Sequence, residues 1–122
     1  MDEKQFQART KGLALRVIKL VEALPEDSTA SVIGKQLLRS ATSVGANYRA
    51  ACRARSKADM IAKLKIVEEE ADETLYWLEL LVEAGVMPQT RLATLLAETD
   101  EILAMTVASI ITLRARQPNR QS

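Results

Sequence analysis

The sequence predicts an all-α protein, an antiparallel up-down-up-down four-helix bundle, and three observations support this fold class. Residues of high helix propensity dominate the 122-residue chain, and 48% of its residues are hydrophobic, enough for one packed core. Only four Gly and three Pro interrupt it, and aromatic residues are too scarce for a β-sandwich or barrel. Apolar residues recur at helical spacing in four segments joined by short loops. We therefore expect one domain over residues 1–122, with helices near 5–24, 30–54, 57–84 and 89–115.

The first predicted helix carries an apolar stripe from Phe6 to Leu24. It stops at Pro25, because a residue that precedes proline is pushed out of the α region. In the loop that follows, Asp27, Ser28 or Thr29 can cap the second helix by accepting its free N–H groups.

The second predicted helix combines close packing with a strong positive charge. Small residues such as Gly34, Ala41 and Gly45 lie along its apolar side. Its opposite side carries four cations within roughly 80° of one another at 100° per residue. These are Lys35, Arg39, Arg49 and Arg53, called the basic stripe below. No acidic residue occurs in residues 29–55.

The third predicted helix begins after Ser56, a good N-cap, and ends at Gly85, a good left-handed terminator. It has two apolar stripes, which predicts burial on two sides, one of them against another subunit. The fourth helix is rich in leucine and isoleucine, and residues 118–122 are expected to form a frayed polar tail.

The composition argues against an enzyme. Histidine is absent, Cys52 is the one cysteine, and there is no glycine-rich phosphate loop. We expect no catalytic residue, no metal, no cofactor and no small-molecule substrate. Acidic residues of the third helix, among them Glu69 and Glu73, are a candidate metal site, but a solvated or salt-bridged face is favoured. The lone thiol and the lack of a long apolar run predict a cytoplasmic protein without a membrane span.

The basic stripe has two possible partners. One is the acidic face of the third helix, in the same chain or in a neighbour, and the other is phosphate. That acidic face consists of Glu69, Asp72, Glu73, Glu79 and Glu83. Pairing with protein is the favoured alternative.

Polar and aromatic residues add two further interaction signals. Ser40, Ser43 and Asn47 interrupt the packed side of the second helix, and Asn47 needs buried partners that Glu68, Glu69 or Glu73 could supply. Tyr76 and Trp77 are consecutive, so both cannot face one core, and one of them is expected at a subunit interface.

These residues resemble a known family. The runs QLLRSATSVGAN (residues 36–47) and EADETLYWLELL (residues 70–81), with Lys63 between them, are similar to the four-helix bundle family of the 23S rRNA intervening-sequence protein. The family pattern places an acid soon after the Asn, in a segment like N-Y-x-E-A. Here Ala50 stands at that position, which makes the second helix more basic.

The resemblance implies a left-handed antiparallel bundle that assembles into a homo-oligomeric ring, typically a pentamer, with no catalytic activity. Some members are encoded inside segments inserted in ribosomal RNA genes. A related branch, the accessory protein of diversity-generating retroelements, is a basic pentamer that binds nucleic acid and a reverse transcriptase. The net charge of this chain is only +1.

Two hypotheses follow for the function. The first is a non-enzymatic oligomeric adaptor that binds RNA or a nucleoprotein partner through the basic stripe. The second is a structural protein–protein scaffold in which basic and acidic helices pair across subunits, with no nucleic acid involved. In both, the residues that hold the bundle and its interfaces are Ser40, Ser43, Asn47, Glu69, Glu73, Tyr76 and Trp77.

Overall fold

The computed structural model describes residues 2–116, which form a bundle of four α-helices with no strand among them. The helices are α1 (Glu3–Glu22), α2 (Ser28–Cys52), α3 (Lys57–Glu83) and α4 (Gln89–Ala115). The all-α prediction is confirmed. The predicted tail, residues 118–122, lies outside the described residues.

Side-chain caps set the starts of α2 and α3. Both α1 and α2 begin two residues earlier than the sequence predicts, at Glu3 and Ser28 rather than at residues 5 and 30. The Asp27 carboxylate accepts a hydrogen bond from the Ala30 N–H at 2.8 Å, which identifies the cap of α2 among the three candidates. The Ser56 hydroxyl accepts one from the Asp59 N–H at 3.0 Å, so the predicted cap of α3 is confirmed. These side chains satisfy N–H groups that have no partner inside the helix.

Two helices end two residues earlier than the sequence predicts, and α3 ends one residue earlier, at Glu83 rather than Ala84. α1 ends at Glu22 rather than Leu24, and α2 ends at Cys52 rather than Ala54. In both, the next two N–H groups bond to the carbonyl three residues back, as in Leu24 N to Val21 O at 3.2 Å and Ala54 N to Ala51 O at 3.1 Å. The last turn tightens in this way because its carbonyls have no α-helical partner beyond the end.

The end of α3 is a Schellman motif centred on Gly85. This residue has φ of 74°, in the left-handed region that glycine adopts without a steric penalty. Val86 N bonds to Leu81 O at 2.9 Å and Gly85 N to Val82 O at 3.0 Å, the two bonds that define the motif. The predicted terminator is confirmed.

Each helix packs against the next along the chain, and α4 returns to α1 through the smallest of the four interfaces. Between α1 and α2, Phe6 stacks edge-on against Tyr48 with ring centroids 4.6 Å apart. Further along, Gly45 lies against Thr10, and Gly34 lies against Val21 and Leu24. Residue numbers therefore rise along α1 while those of its contacts on α2 fall.

Among residues 2–116, the core is apolar apart from five hydroxyl side chains. These are Thr10, Ser40, Thr74, Thr99 and Thr106, all buried. Each donates to a carbonyl three or four residues earlier in its own helix, for example Thr99 Oγ1 to Leu95 O at 2.7 Å. Because their donors are satisfied locally, these hydroxyls can be buried at little penalty.

Candidate functional site

The two sequence motifs meet at the centre of the α2–α3 interface. The Arg39 guanidinium lies 2.5 Å from Glu73 Oε1 and 3.2 Å from Glu70 Oε1. The Trp77 indole N–H donates to the same Glu73 oxygen at 3.2 Å. Below this ion pair, the buried Thr74 Oγ1 lies 3.0 Å from Ser40 Oγ. Residues from both motifs therefore join α2 to α3 within one chain.

Arg39 controls the charge of this cluster. Its hydrogen bond holds the pKa of Glu73 below the ordinary value, with a smaller contribution from Trp77 in the same direction. The Glu73 and Glu70 carboxylates in turn raise the pKa of Arg39. One oxygen of Glu70 is buried without a hydrogen bond and has the Arg39 charge beside it. Arg39 thus pairs with two carboxylates at the helix interface.

The prediction that Asn47 bonds to a glutamate of α3 is wrong. Its side-chain amide donates within α2, to Ser43 O at 2.9 Å and to Ser43 Oγ at 2.8 Å, rather than to a glutamate of α3. The spacing of four residues puts the two side chains on adjacent turns of α2, so Asn47 reaches Ser43 within its own helix. Ser43 and Asn47 are both only half-buried.

The aromatic pair divides between core and surface. Trp77 packs against the core, whereas the side chain of Tyr76 is 56% exposed and stacks edge-on against Trp77 with centroids 5.0 Å apart. Glu69 is exposed on the same helix and forms no ion pair within residues 2–116. A subunit-interface role for Tyr76 stays a prediction.

The structure divides the basic stripe into three environments. Lys35 lines a pocket at the α1–α2 loop together with the acidic residues Glu22, Glu26 and Asp27. Arg39 is held by α3, as described above. Arg49 and Arg53 lie roughly 15 and 21 Å beyond Arg39 along α2, at a rise of 1.5 Å per residue. The four cations share a side of the helix but do not form one surface.

Arg49 and Arg53 belong to a groove of about 620 Å³ between α1 and α2. Lys4 and Lys11 of α1 line its other wall, and small residues, among them Ala8 and Gly45, line the space between. No acidic residue lines this groove, and within the described chain none of its four cations forms an ion pair.

Lys4 and Lys11 are the residues that sequence reasoning missed. They are seven apart, which places them two turns from each other on one side of α1, and this spacing is the signal that could have found them. Nothing in the sequence states that this side of α1 adjoins Arg49. The close approach of α1 to Gly45, where an added Cβ would lie 3.4 Å from the Thr10 backbone, brings the two sets of cations together.

The described residues offer little for other chemistry. No three side chains among Asp, Glu, Cys and His come close enough in residues 2–116 to hold a metal ion. Cys52 is half-buried at the end of α2 and packs against the core. No helix in this part of the chain is both long and apolar enough to cross a membrane.

Comparison with known proteins agrees with the motifs. A family model described as 23S rRNA-intervening sequence protein matches residues 3–108. A solved structure of a protein of unknown function from the S23 ribosomal protein family of Bacteroides thetaiotaomicron is 35% identical, with a TM-score of 0.83. The match covers 90% of this chain and 98% of that one. No curated protein matches the sequence. The chain belongs to the 23S rRNA-intervening sequence protein family.

Proposed function

We propose that this protein is a non-enzymatic, oligomeric four-helix bundle adaptor that binds RNA. The observation that carries the proposal is the α1–α2 groove, in which Lys4, Lys11, Arg49 and Arg53 face one concave surface without a carboxylate. Unpaired cations around a concave surface create a positive potential that attracts phosphates. Arg39 and Lys35 are left out of this contact, because Arg39 is bound by α3 and Lys35 lies beside acidic residues.

We infer that the bundle has up-down-up-down topology and assembles into a homo-oligomeric ring, with a pentamer favoured by the family resemblance. The opposite residue order of the α1–α2 contacts and the short loops support the topology. Large apolar side chains exposed on the bundle support the assembly, among them Leu15 (57%), Val32 (61%) and Ile111 (61%).

The test is binding of the intact protein to a structured RNA across a salt series. Four phosphate contacts predict a log–log slope of roughly −3 to −4 per protomer. The variant Arg49→Glu/Arg53→Glu should abolish binding. Lys19→Glu/Lys35→Glu is the matched control, since it makes the same charge change at exposed positions away from the groove, and it should bind as the native protein does.

Circular dichroism and native mass measurements must show that both variants keep the helix content and oligomer mass of the native protein. Salt-independent binding, or equal loss of binding in the two variants, would contradict a specific role for the groove. If the native protein binds no RNA at low salt, the proposal is refuted.

A second candidate function, a protein–protein scaffold, is favoured by a different observation. α3 exposes an acidic row of Glu69, Asp72, Glu79 and Glu83, with Tyr76 among them, and none of the four carboxylates forms an ion pair within residues 2–116. The cations of the α1–α2 groove on a second copy are complementary to this row.

The scaffold is tested by oligomer mass rather than by RNA. If the groove and the acidic row meet across subunits, Glu69→Lys/Glu79→Lys should dissociate the assembly, and so should Arg49→Glu/Arg53→Glu. Combining the two variants should restore the native mass, because the interface charges are then exchanged. Unchanged mass in both single-face variants would exclude this pairing.

A further inference from the structure

The basic surface of α2 borders a second groove, which lies between α2 and α3 and has a volume of about 700 Å³. Ala46, Arg49 and Arg53 line both grooves. The two arginines therefore stand on a ridge of α2, with the α1–α2 groove on one side and the α2–α3 groove on the other. Both side chains are exposed on this ridge.

The second groove is basic as well, although it contains one carboxylate. Asp59 accepts a hydrogen bond from Lys63 Nζ at 2.8 Å through one oxygen and from the Arg55 N–H at 3.2 Å through the other. Its charge is thereby matched by Lys63, and the Arg55 side chain adds a cation that forms no ion pair in the described residues. Within the described chain, the α2–α3 side of the ridge thus adds one unpaired cation, Arg55, and the α1–α2 side adds two, Lys4 and Lys11.

In the described part of the chain, neither groove contains an aromatic platform on which a base can stack. Their linings include no aromatic residue. Phe6 and Tyr48 are buried against each other, and Tyr76 and Trp77 lie on α3 near the acidic residues. Binding of unpaired bases relies on aromatic platforms worth about 1–3 kcal/mol per base, and this surface has none.

We propose that the two grooves bind the two phosphate backbones of base-paired RNA, one strand on each side of the Arg49–Arg53 ridge, without reading its sequence. This inference rests on the proposed function and specifies the class of RNA that is bound. Double-stranded RNA presents two phosphate rows, keeps its bases stacked inside, and is recognised mainly by shape and backbone contacts. Cations on both sides of a ridge, with no stacking platform, match those features.

The experiment compares two RNAs of equal length on the full-length protein, a perfectly paired hairpin and an unstructured polyuridine strand. The hairpin should bind at least about tenfold more tightly, because its two strands engage both grooves and its phosphates are denser. A second hairpin with every base pair exchanged should bind within about threefold of the first, because no base edge is read.

Variants that remove the cations of one groove measure the contribution of each groove to binding. Lys4→Ala/Lys11→Ala removes the two α1 cations of the α1–α2 groove. Arg55→Ala removes the unpaired cation that Arg55 adds to the α2–α3 groove. For the hairpin, the log–log salt slope should become shallower by roughly 1.8 and 0.9 respectively, at about 0.9 per phosphate contact. Each variant should also lower the preference for hairpin over polyuridine. Lys19→Ala/Lys35→Ala is the control and should leave both quantities unchanged.

The outcomes distinguish this inference from the proposal on which it rests. Equal or tighter binding of polyuridine, a change of more than about tenfold between the two hairpins, or an Arg55→Ala variant with the native slope would overturn duplex binding while leaving RNA binding intact. Failure to bind either RNA at low salt would overturn both.

Discussion

At the scale of single residues, Arg39 shows how a surface charge can belong to the fold. Helical periodicity places it with Lys35, Arg49 and Arg53, yet its guanidinium bridges Glu70 and Glu73 of the neighbouring helix. The contact is half-exposed, so its Coulombic energy is reduced by solvent. The contact matters for stability because one oxygen of Glu70 is buried without a hydrogen bond. Without Arg39, this oxygen would lose the positive charge beside it.

We therefore predict that Arg39→Met lowers the free energy of unfolding by about 1 kcal/mol at pH 7, because methionine keeps the packing of the aliphatic stem and removes the charge. Chemical denaturation measures this loss. Arg49→Met, the matched control on the same helix, should change the free energy by less than about 0.5 kcal/mol. Equal losses in the two variants would contradict a special role for Arg39.

The loss caused by Arg39→Met should depend on pH in a defined direction. Arg39 lowers the pKa of Glu73 in the folded protein below its ordinary value of 4.5. The contribution to stability is thus complete above that value, and it is lost as the pH falls through the lower folded-state pKa. Denaturation at pH 7, 5, 4 and 3 should show the native–variant difference shrinking only below about pH 4.5. A constant difference over this series would show that Glu73 does not respond to Arg39.

At the scale of helices, glycine has opposite consequences in two places. Gly12 lies within α1, where its flexibility lowers helix stability, and Gly85 ends α3 with a positive φ. An added Cβ would have no atom within 4 Å at either position. The two sites therefore differ in backbone conformation rather than in available space.

We predict that alanine at these positions shifts the melting temperature in opposite directions. Gly12→Ala should stabilise the protein by about 0.5–1 kcal/mol because alanine restricts the unfolded chain and favours the helix. Gly85→Ala should destabilise it by about 1–2 kcal/mol because an L side chain is strained in the left-handed region. Thermal unfolding followed by circular dichroism compares the two, and shifts of the same sign would contradict the argument.

At the scale of the molecule, the bundle is closed by polar contacts at its smallest interface, between α1 and α4. Arg9 binds Glu98 at 2.6 Å and Glu101 at 2.7 Å, and its guanidinium also lies 3.2 Å from Met105 Sδ. Hydrogen bonds to the two carboxylates raise the pKa of Arg9. This cluster holds the first helix to the last.

Arg9→Met should therefore open the α1–α4 interface before the rest of the bundle. We expect a loss of about 1 kcal/mol in unfolding free energy, because Arg9 and Glu98 are only 28% and 25% exposed and Glu98 loses its partner, whereas Glu101 is 61% exposed and contributes little. Amide hydrogen exchange should accelerate more in α1 and α4 than in α2 and α3.

Arg16→Met provides the control, because Arg16 makes one exposed hydrogen bond to Thr94 across the same interface. It should leave exchange rates close to the native values. Uniform acceleration across all four helices in Arg9→Met would mean that the interface does not open separately.

Much of the architecture can be predicted from sequence because its causes are local. Helical periodicity, the caps Asp27 and Ser56, and the terminator Gly85 act within a few residues of the chain. The observed helix ends at Glu22 and Cys52 differ by two residues from the predicted ones, because no particular residue type marks the point at which the last turn tightens.

The candidate site depends instead on contacts between helices. A helical wheel assigns Arg39 and Arg49 to one side of α2, but it does not reveal that α3 holds the first while α1 adds Lys4 and Lys11 to the second. That outcome depends on how the helices pack in register, with Gly45 against Thr10 and Ser40 against Thr74. Register arises from packing between residues distant in the chain, so tertiary structure alone turns a row of charges into an ion pair and a groove.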